Sequence, residues 1–425
     1  MDVRILPGPL RGSVRARPSK SELHRALICS AFSDRGTRIT LPSKVPASGL
    51  SDDISATAGC LRALGADISV SQDSIFVSPA EGRAVRPVLD CRNSGSTLRF
   101  LLPVSAAVSE EPRFEAGTGL ARRPLSELMQ CLGGHGISFS SDSPPFSLSG
   151  TLRGGEFRIS AGTSSQYISG LLLALPFTDP GSCVIPDSPP VSVSYIAVTR
   201  DIMRSFGRKV DFSEGIYTVS EGRGYVSPGT FEIGGDWSNA SYFLSAGLMP
   251  GCRTEVAGLD PLSPQGDKAV VGILQMMGGN IRSEDRSAYS EESRMTGGTI
   301  DIDPVPDLFP SLAAAACAAR GRTVFRNIRR LRLKESDRIE STADMIRSLG
   351  GTVETGDSEF VICGTGSLRG GTVDSHDDHR IVMAAAAASC ICREPVTITG
   401  AEAAAKSYPS FFEDFTSLGG KAYAV

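Results

Sequence analysis

One arrangement of apolar and polar positions recurs six times along the chain. A helix-like stretch ends as apolar-x-x-apolar-Gly and gives way to strand-like alternation, as at Ile68-Ser69-Val70. The closing glycines are Gly65, Gly133, Gly207, Gly278, Gly350 and Gly419, 68 to 74 residues apart. Glycine suits these places because a chain commonly leaves a helix in a left-handed conformation. A second kind of helix recurs in step. It starts in a small polar or acidic cluster near Ser19, Asn93, Ser164, Ser238, Asp307 and Asp378, and then turns apolar. A period of about seventy residues exceeds those of the common solenoids and predicts a mixed strand-and-helix unit copied six times.

Three units per domain is the expected grouping, with a boundary near Thr230 to Asp236, after the Gly/Pro-rich stretch Gly222 to Gly235. The length of 425 residues also exceeds one ordinary core. Helix N-termini carry unsatisfied N–H groups and partial positive charge. Equivalent helices in equivalent units can point these ends the same way, so an anionic ligand is expected.

Composition narrows the classes. The chain is 40% hydrophobic and 21% charged, as in a soluble globular protein, and its net charge of −4 gives no basic field for nucleic acid. The first residues enter a strand-like run without the features of a signal or transit peptide. The longest apolar run, Ile381 to Cys392, is too short to span a bilayer. Ten scattered cysteines, with no His at metal spacing beside Cys390 and Cys392, read as reduced thiols. A cytoplasmic protein without a membrane partner is expected.

The densest candidate chemistry lies at Arg332-Leu333-Lys334-Glu335-Ser336-Asp337-Arg338. Five of these seven residues are charged, yet apolar segments flank them. Ser336 or Asp337 can cap the helix that follows, placing Lys334, Glu335 and Arg338 at its entrance. A solvated helix end with local ion pairs is the alternative. Comparable starts are Ser19-Lys20-Ser21 with Arg25, Asn93-Ser94-Gly95 with Arg99, Ser164-Ser165-Gln166, and Asp378-His379-Arg380. Arg122-Arg123-Pro124, Ser192, Tyr195, Asp307 and Lys406 lie at other helix entrances or loops. Asp52-Asp53 reads as a cap without chemistry. Basic residues with small hydroxyls at helix starts suit phosphate or carboxylate.

Across the whole chain these residues resemble the enolpyruvyl transferases, and within that family the members acting on shikimate 3-phosphate. The Lys-Glu-Ser-Asp-Arg and Asp-His-Arg motifs, in this order, are the most specific part of the match. The resemblance implies a mixed α/β (α+β) fold of two similar domains, each of three repeated βαβαββ units, with the active site in the interdomain cleft. Residues 1–18 and 232–425 would form a discontinuous domain holding both termini, and 19–231 an inserted one, with hinges near 17–19 and 230–236.

The implied reaction transfers the carboxyvinyl group of phosphoenolpyruvate to the 5-hydroxyl of shikimate 3-phosphate by addition–elimination, releasing phosphate, on the route to chorismate and aromatic amino acids. A monomer acting on these two small molecules is expected, with no metal, organic cofactor or nucleic acid. Lys20, Ser21, Arg25, Ser164, Ser165, Gln166, Ser192, Asp307 and Lys334 would hold shikimate 3-phosphate. Lys20, Gly95, Arg123, Gln166, Arg338, Arg380 and Lys406 would hold phosphoenolpyruvate. Asp307 would deprotonate the hydroxyl, Glu335 would protonate the methylene, and Lys20 would stabilise the attacking or departing oxygen. Lys334 and Arg338 on either side of Glu335 favour its ionised form, against an easy acid role. Arg330 stands where some family members carry Asn and is left out of the site.

The nearest alternative is a UDP-N-acetylglucosamine enolpyruvyl transferase. That sister enzyme commonly has Cys in the loop before Arg-Pro, whereas Gly117 to Pro124 has none. An RNA 3′-phosphate cyclase is disfavoured by the acidic balance, and an anion-binding relic by the full complement of charged residues.

Overall fold

A computed structural model describes every residue except Pro46 and Ser48. Among the described residues, six four-stranded sheets follow one plan. Thr299–Asp301 lies parallel to Arg320–Arg326, which pairs antiparallel with Glu359–Thr365, which in turn pairs antiparallel with Thr352–Thr355. The helix Phe309–Ala318 joins the first two strands, and Arg338–Ser348 joins the second to the hairpin. This is a βαβαββ unit, and its strand order recurs in the other five sheets.

The chain divides into two compact units. One comprises Met1–Pro18, Gly234–Val425 and the described residues among 46–51; the other comprises Ser19–Val45 and Asp52–Ile233. In the first unit, Val3–Leu6 pairs with both Val396–Thr399 and Lys421–Ala424, so one sheet holds both chain ends. Arg11–Arg15 runs parallel to Arg253–Ala257, and Pro18 bridges Gly235 where the chain leaves and returns. In the second unit, Thr230–Glu232 completes a sheet by pairing with Thr37–Thr40. That pairing places residues 232 and 233 with the inserted unit, where the sequence reading had put them with the termini.

In the first unit the helices Trp237–Gly247, Phe309–Ala318 and His379–Ala388 touch one another. Their alanines, Ala313 to Ala316 and Ala384 to Ala388, are buried. Small side chains let helices approach closely, and alanine is the best helix former, so an apolar helix of this composition serves as a central post. In the second unit the corresponding helices are Lys20–Ala31, Gly95–Val108 and Ser165–Ala174. A Cβ on Gly170 would lie 2.3 Å from the Arg99 carbonyl oxygen and 3.2 Å from Pro103 Cγ, so two of these posts nearly touch.

Five of the six closing glycines take positive φ, from 76° at Gly207 to 102° at Gly65. The exception is Gly133, which stays inside the helix Ser126–Gly134 while Gly136, at φ 95°, makes the exit. The caps also sharpen the expected starts. Ser94 caps instead of Asn93, and Asp236 instead of Ser238. Asp307 lies in a 3-10 turn, Pro306–Leu308, ahead of its helix and is not that helix's cap.

Gly170→Ala forces the two posts apart and is expected to cost about 1–3 kcal/mol of stability, the usual range for overpacking. Calorimetric unfolding checks this, and an unchanged profile would contradict the close approach.

Candidate active site

Each unit gathers its helix starts. In the second unit Ser19, Ser94 and Ser164 accept hydrogen bonds from the backbone of the helices they cap. Lys20, the first residue of its helix, places Nζ 2.7 Å from Asp53 Oδ2. Asp53, read from sequence as a plain cap, is thus tied to a candidate catalytic lysine. Thr97 donates to the Asp53 carbonyl at 3.3 Å, and Gln166 Nε2 donates to Ser96 Oγ at 2.9 Å. These bonds bring the three N-terminal ends together.

Neutral oxygens, not carboxylates, receive most of this unit's buried guanidinium bonds. Arg25 is 2% exposed; it donates to Thr199 Oγ1 at 2.6 Å, the Ser21 carbonyl at 2.6 Å and the Tyr195 carbonyl at 3.1 Å. Burial pulls its pKa down to about 10. Its guanidinium carbon lies 4.6 Å from the centre of the Phe100 ring. Arg99 donates to Gln166 Oε1 at 3.0 Å and to the Pro124 carbonyl at 3.2 Å, and Tyr167 donates to that carbonyl at 2.7 Å. This fixes the residue after Arg123. A Cβ on Gly95 would meet Arg99 Nη1 at 2.6 Å and Arg123 Nη1 at 2.7 Å. The glycine therefore makes room for two guanidinium groups.

Ser165 is buried one residue past its cap, and Ser192 precedes the helix Val193–Ser205 with φ 49°. Burial, with Lys20 and Arg25 nearby, holds the His24 imidazole well below its usual pKa, and its Nδ1 lies 2.7 Å from Thr57 Oγ1.

The first unit is built differently. After the 3-10 turn Arg329–Leu333, Asp337 accepts from the Ile339 and Glu340 amides and starts the helix Arg338–Ser348. Arg332 bridges Asp337 and Glu340 on the outside at 2.7 and 3.2 Å. Lys334, Glu335 and Ser336 face inward instead. Arg338, with a side chain 1% exposed, donates to Asp307 Oδ1 at 2.7 Å, to Asp378 Oδ2 at 2.9 Å and to Glu335 Oε2. Lys334 Nζ reaches Asp307 Oδ1 at 3.2 Å, and Arg380 Nη2 reaches Asp307 Oδ2 at 3.2 Å. Arg380 Nη1 also donates to the Asp307 carbonyl at 3.0 Å.

Asp378 is both helix cap and ion-pair partner, accepting from the Arg380 amide at 2.9 Å and from Ser336 Oγ at 3.0 Å. Burial works against ionising Asp307, but Arg380, Lys334 and Arg338 hold its pKa well below the usual carboxylate range. Burial also works against the Arg338 charge, yet Asp378, Glu335 and Asp307 raise its pKa above the ordinary value. Burial lowers that of Lys334 despite the pull of Asp307.

Asp307, Lys334, Glu335, Arg338 and Arg380 thus form one cluster. Lys406 ends the 3-10 turn Ala401–Lys406, which packs on the helix His379–Ala388 that carries Arg380. Arg330 is clamped by Asp303, through Oδ1 at 2.9 Å and the carbonyl at 2.7 Å. Sequence reasoning missed Asp267 and Tyr242. Tyr242 is fully buried, its pKa pushed by burial up to about 12 with Arg380 and Arg338 pulling the other way. A lone Asp in a loop and a Tyr inside an apolar helix carry no signal of that placement.

Gathered helix starts, buried cations and carboxylates within ion-pair distance define a protein that handles compact anions and can move a proton beside them. A family model described as EPSP synthase (3-phosphoshikimate 1-carboxyvinyltransferase) matches residues 6–415. A Clostridium kluyveri 3-phosphoshikimate 1-carboxyvinyltransferase is 37% identical over 422 residues, covering 99% of this chain and 97% of the relative. A Clostridium perfringens protein of the same name is 36% identical, covering 98% of each. The chain belongs to the EPSP synthase family. The structure of EPSP synthase from Acinetobacter baumannii shares the fold, with a TM-score of 0.81 over the whole of both chains at 24% identity.

Removing the charge in Arg338→Met leaves three carboxylates facing one another. The expected cost is about 3–5 kcal/mol, as for other broken buried ion pairs. Trp237, the only tryptophan and buried in the same unit, reports this unfolding in urea by its fluorescence. An unchanged midpoint would contradict the cluster.

Proposed function

We propose that this protein transfers the carboxyvinyl group of phosphoenolpyruvate to the 5-hydroxyl of shikimate 3-phosphate and releases phosphate. The observation that carries this reading is the charged cluster around Asp307, present in a chain of this family. Both substrates carry a phosphate and a carboxylate. The proposal assigns Lys20, Ser21, Arg25, Ser164, Ser165, Gln166, Ser192, Asp307 and Lys334 to shikimate 3-phosphate. It assigns Lys20, Gly95, Arg123, Gln166, Arg338, Arg380 and Lys406 to phosphoenolpyruvate. Guanidinium groups suit such anions because they can bond two oxygens at once. Arg25 favours this role, since its present bonds go to neutral oxygens and leave its charge for a ligand to balance. Arg338 must exchange one of its three carboxylates to grip an anion.

In the addition step the 5-hydroxyl oxygen bonds to the central carbon of phosphoenolpyruvate. Asp307 takes the hydroxyl proton, and Glu335 gives a proton to the methylene, making a methyl group. In the elimination step a methyl proton returns to a carboxylate, the carbon–oxygen bond to phosphate breaks, and the double bond re-forms. Lys20 offsets charge on the oxygen that enters or leaves. Substrate anions that draw Lys334 and Arg380 away from Asp307 raise its proton affinity, which makes it a better base once they are bound.

One chain carries both sets of residues, so a monomer suffices, and the cytoplasm is the proposed location. No helix among the described residues is long and apolar enough to cross a membrane. A UDP-amino-sugar acceptor is not favoured, given the names of the relatives above.

Phosphate release from phosphoenolpyruvate, assayed with each acceptor in turn, tests the reading. Release is expected with shikimate 3-phosphate and not with UDP-N-acetylglucosamine; the reverse would overturn it. Gly95→Ala is expected to displace Arg123 and raise KM for phosphoenolpyruvate by roughly ten- to a hundredfold, as a displacement of about 1 Å can. An unchanged KM would remove Arg123 from that site.

A further inference from the structure

Asp267 lies in the 3-10 turn Gly266–Ala269 and is 4% exposed. No motif in the sequence singles it out, and the mechanism above does not use it. Its Oδ2 accepts a hydrogen bond from Ser238 Oγ, at the start of the helix Trp237–Gly247. The turn itself is firmly held. Gln265 donates to the Gly235 carbonyl at 2.9 Å and accepts from the Trp237 amide at 3.1 Å. The turn Pro306–Leu308, which carries Asp307, packs on the same helix. Ser241 of that helix lies 2.8 Å from Ser311, one turn beyond Asp307. The turn holding buried Asp267 and the turn carrying Asp307, whose carboxylate is part-exposed, therefore pack on one helix, and Asp307 acts on Asp267 as a like charge.

We propose that Asp267 is a positioning residue for the proton acceptor Asp307, its fixed negative charge opposing the cations that would otherwise keep Asp307 from accepting a proton. This rests on the reading of Asp307 as the base. The groups facing Asp307 are Arg380, Lys334, Arg338 and Glu335, and those facing Asp267 are Asp307, Arg380 and Asp236. Three cations on one carboxylate make a poor base. A second carboxylate raises its proton affinity by like-charge repulsion. The same repulsion acts in return. Burial first, then Asp307, push Asp267 up to about 6, with the Ser238 hydrogen bond and Arg380 pulling it back. Above that pH Asp267 is ionised and supports Asp307; as pH falls through it, Asp267 takes a proton and the support is lost.

The test compares Asp267→Asn and Asp267→Glu with the unaltered protein, following kcat and KM against pH. Asn keeps the shape and an acceptor for Ser238. The unaltered protein is expected to lose kcat on the acid side with a midpoint near pH 6. Asp267→Asn is expected to lower kcat about tenfold at neutral pH, with KM unchanged and that acid limb gone. Asp267→Glu restores both. Loss of kcat with the acid limb still in place would mark a packing role and overturn the proposal, as would an unchanged kcat.

A second measurement does not depend on turnover. In the free protein the carboxyl carbon of Asp267, followed by NMR, is expected to titrate near pH 6 and to shift to lower pH in Asp307→Asn. No shift would overturn the coupling. If the unaltered protein released no phosphate with shikimate 3-phosphate, the proposed function would fail on its own, and the NMR titration would still read the coupling.

Discussion

The guanidinium of Arg338 is almost wholly removed from water and has three carboxylates around it. A buried charge of either sign is costly alone, and breaking such a set leaves the remaining partners unpaired. The set spans three places in the chain: the turn before one post helix, the segment leading into Arg338 itself, and the cap of another post. Arg338 thus fixes where Asp307, Glu335 and Asp378 can sit. Asp307, so fixed, collects Lys334 and Arg380 as well. The alanine posts beneath allow this. Side chains no larger than a methyl let the helices run close enough for short acids and long bases at their starts to meet.

The two units hold their buried guanidinium groups in opposite ways. In the first unit carboxylates neutralise the guanidinium groups. In the second, Arg25 bonds hydroxyl and carbonyl oxygens, and burial weakens its hold on the proton without a neighbouring carboxylate in its bonds to offset it. A cradle of that kind has use for an anionic ligand. A network of the first kind has use for an acid–base step. Each follows from the residue types that the local sequence puts at its helix starts.

The six-fold period was legible because it rests on local rules: helix exits through glycine, caps of Ser or Asp, and alternation in the strands. The charged starts were legible for the same reason. What escaped was anything set by packing across repeats. Gly133 ends like its counterparts in sequence, yet its helix runs on and leaves through Gly136. Asp53 reads as a cap, but the neighbouring helix brings Lys20 to it. Gly95 is expected in a ligand site, but nothing in the local sequence says that its missing Cβ also makes room for Arg99 and Arg123. Asp267 was silent, since nothing near it in sequence says that its turn and the Asp307 turn pack on the helix that carries Ser238. The individual ligand contacts of the site residues lie beyond local rules in the same way.

Addition followed by elimination makes the methylene carbon a methyl group for part of each turnover. The most direct measurement is therefore the reaction of phosphoenolpyruvate with shikimate 3-phosphate in deuterium oxide, followed by proton NMR and mass spectrometry. The account predicts an acceptor that has gained a carboxyvinyl group, with deuterium in its methylene and phosphate released in equal amount. Phosphate release without a carboxyvinylated acceptor, or a product whose methylene carries no deuterium, would contradict it.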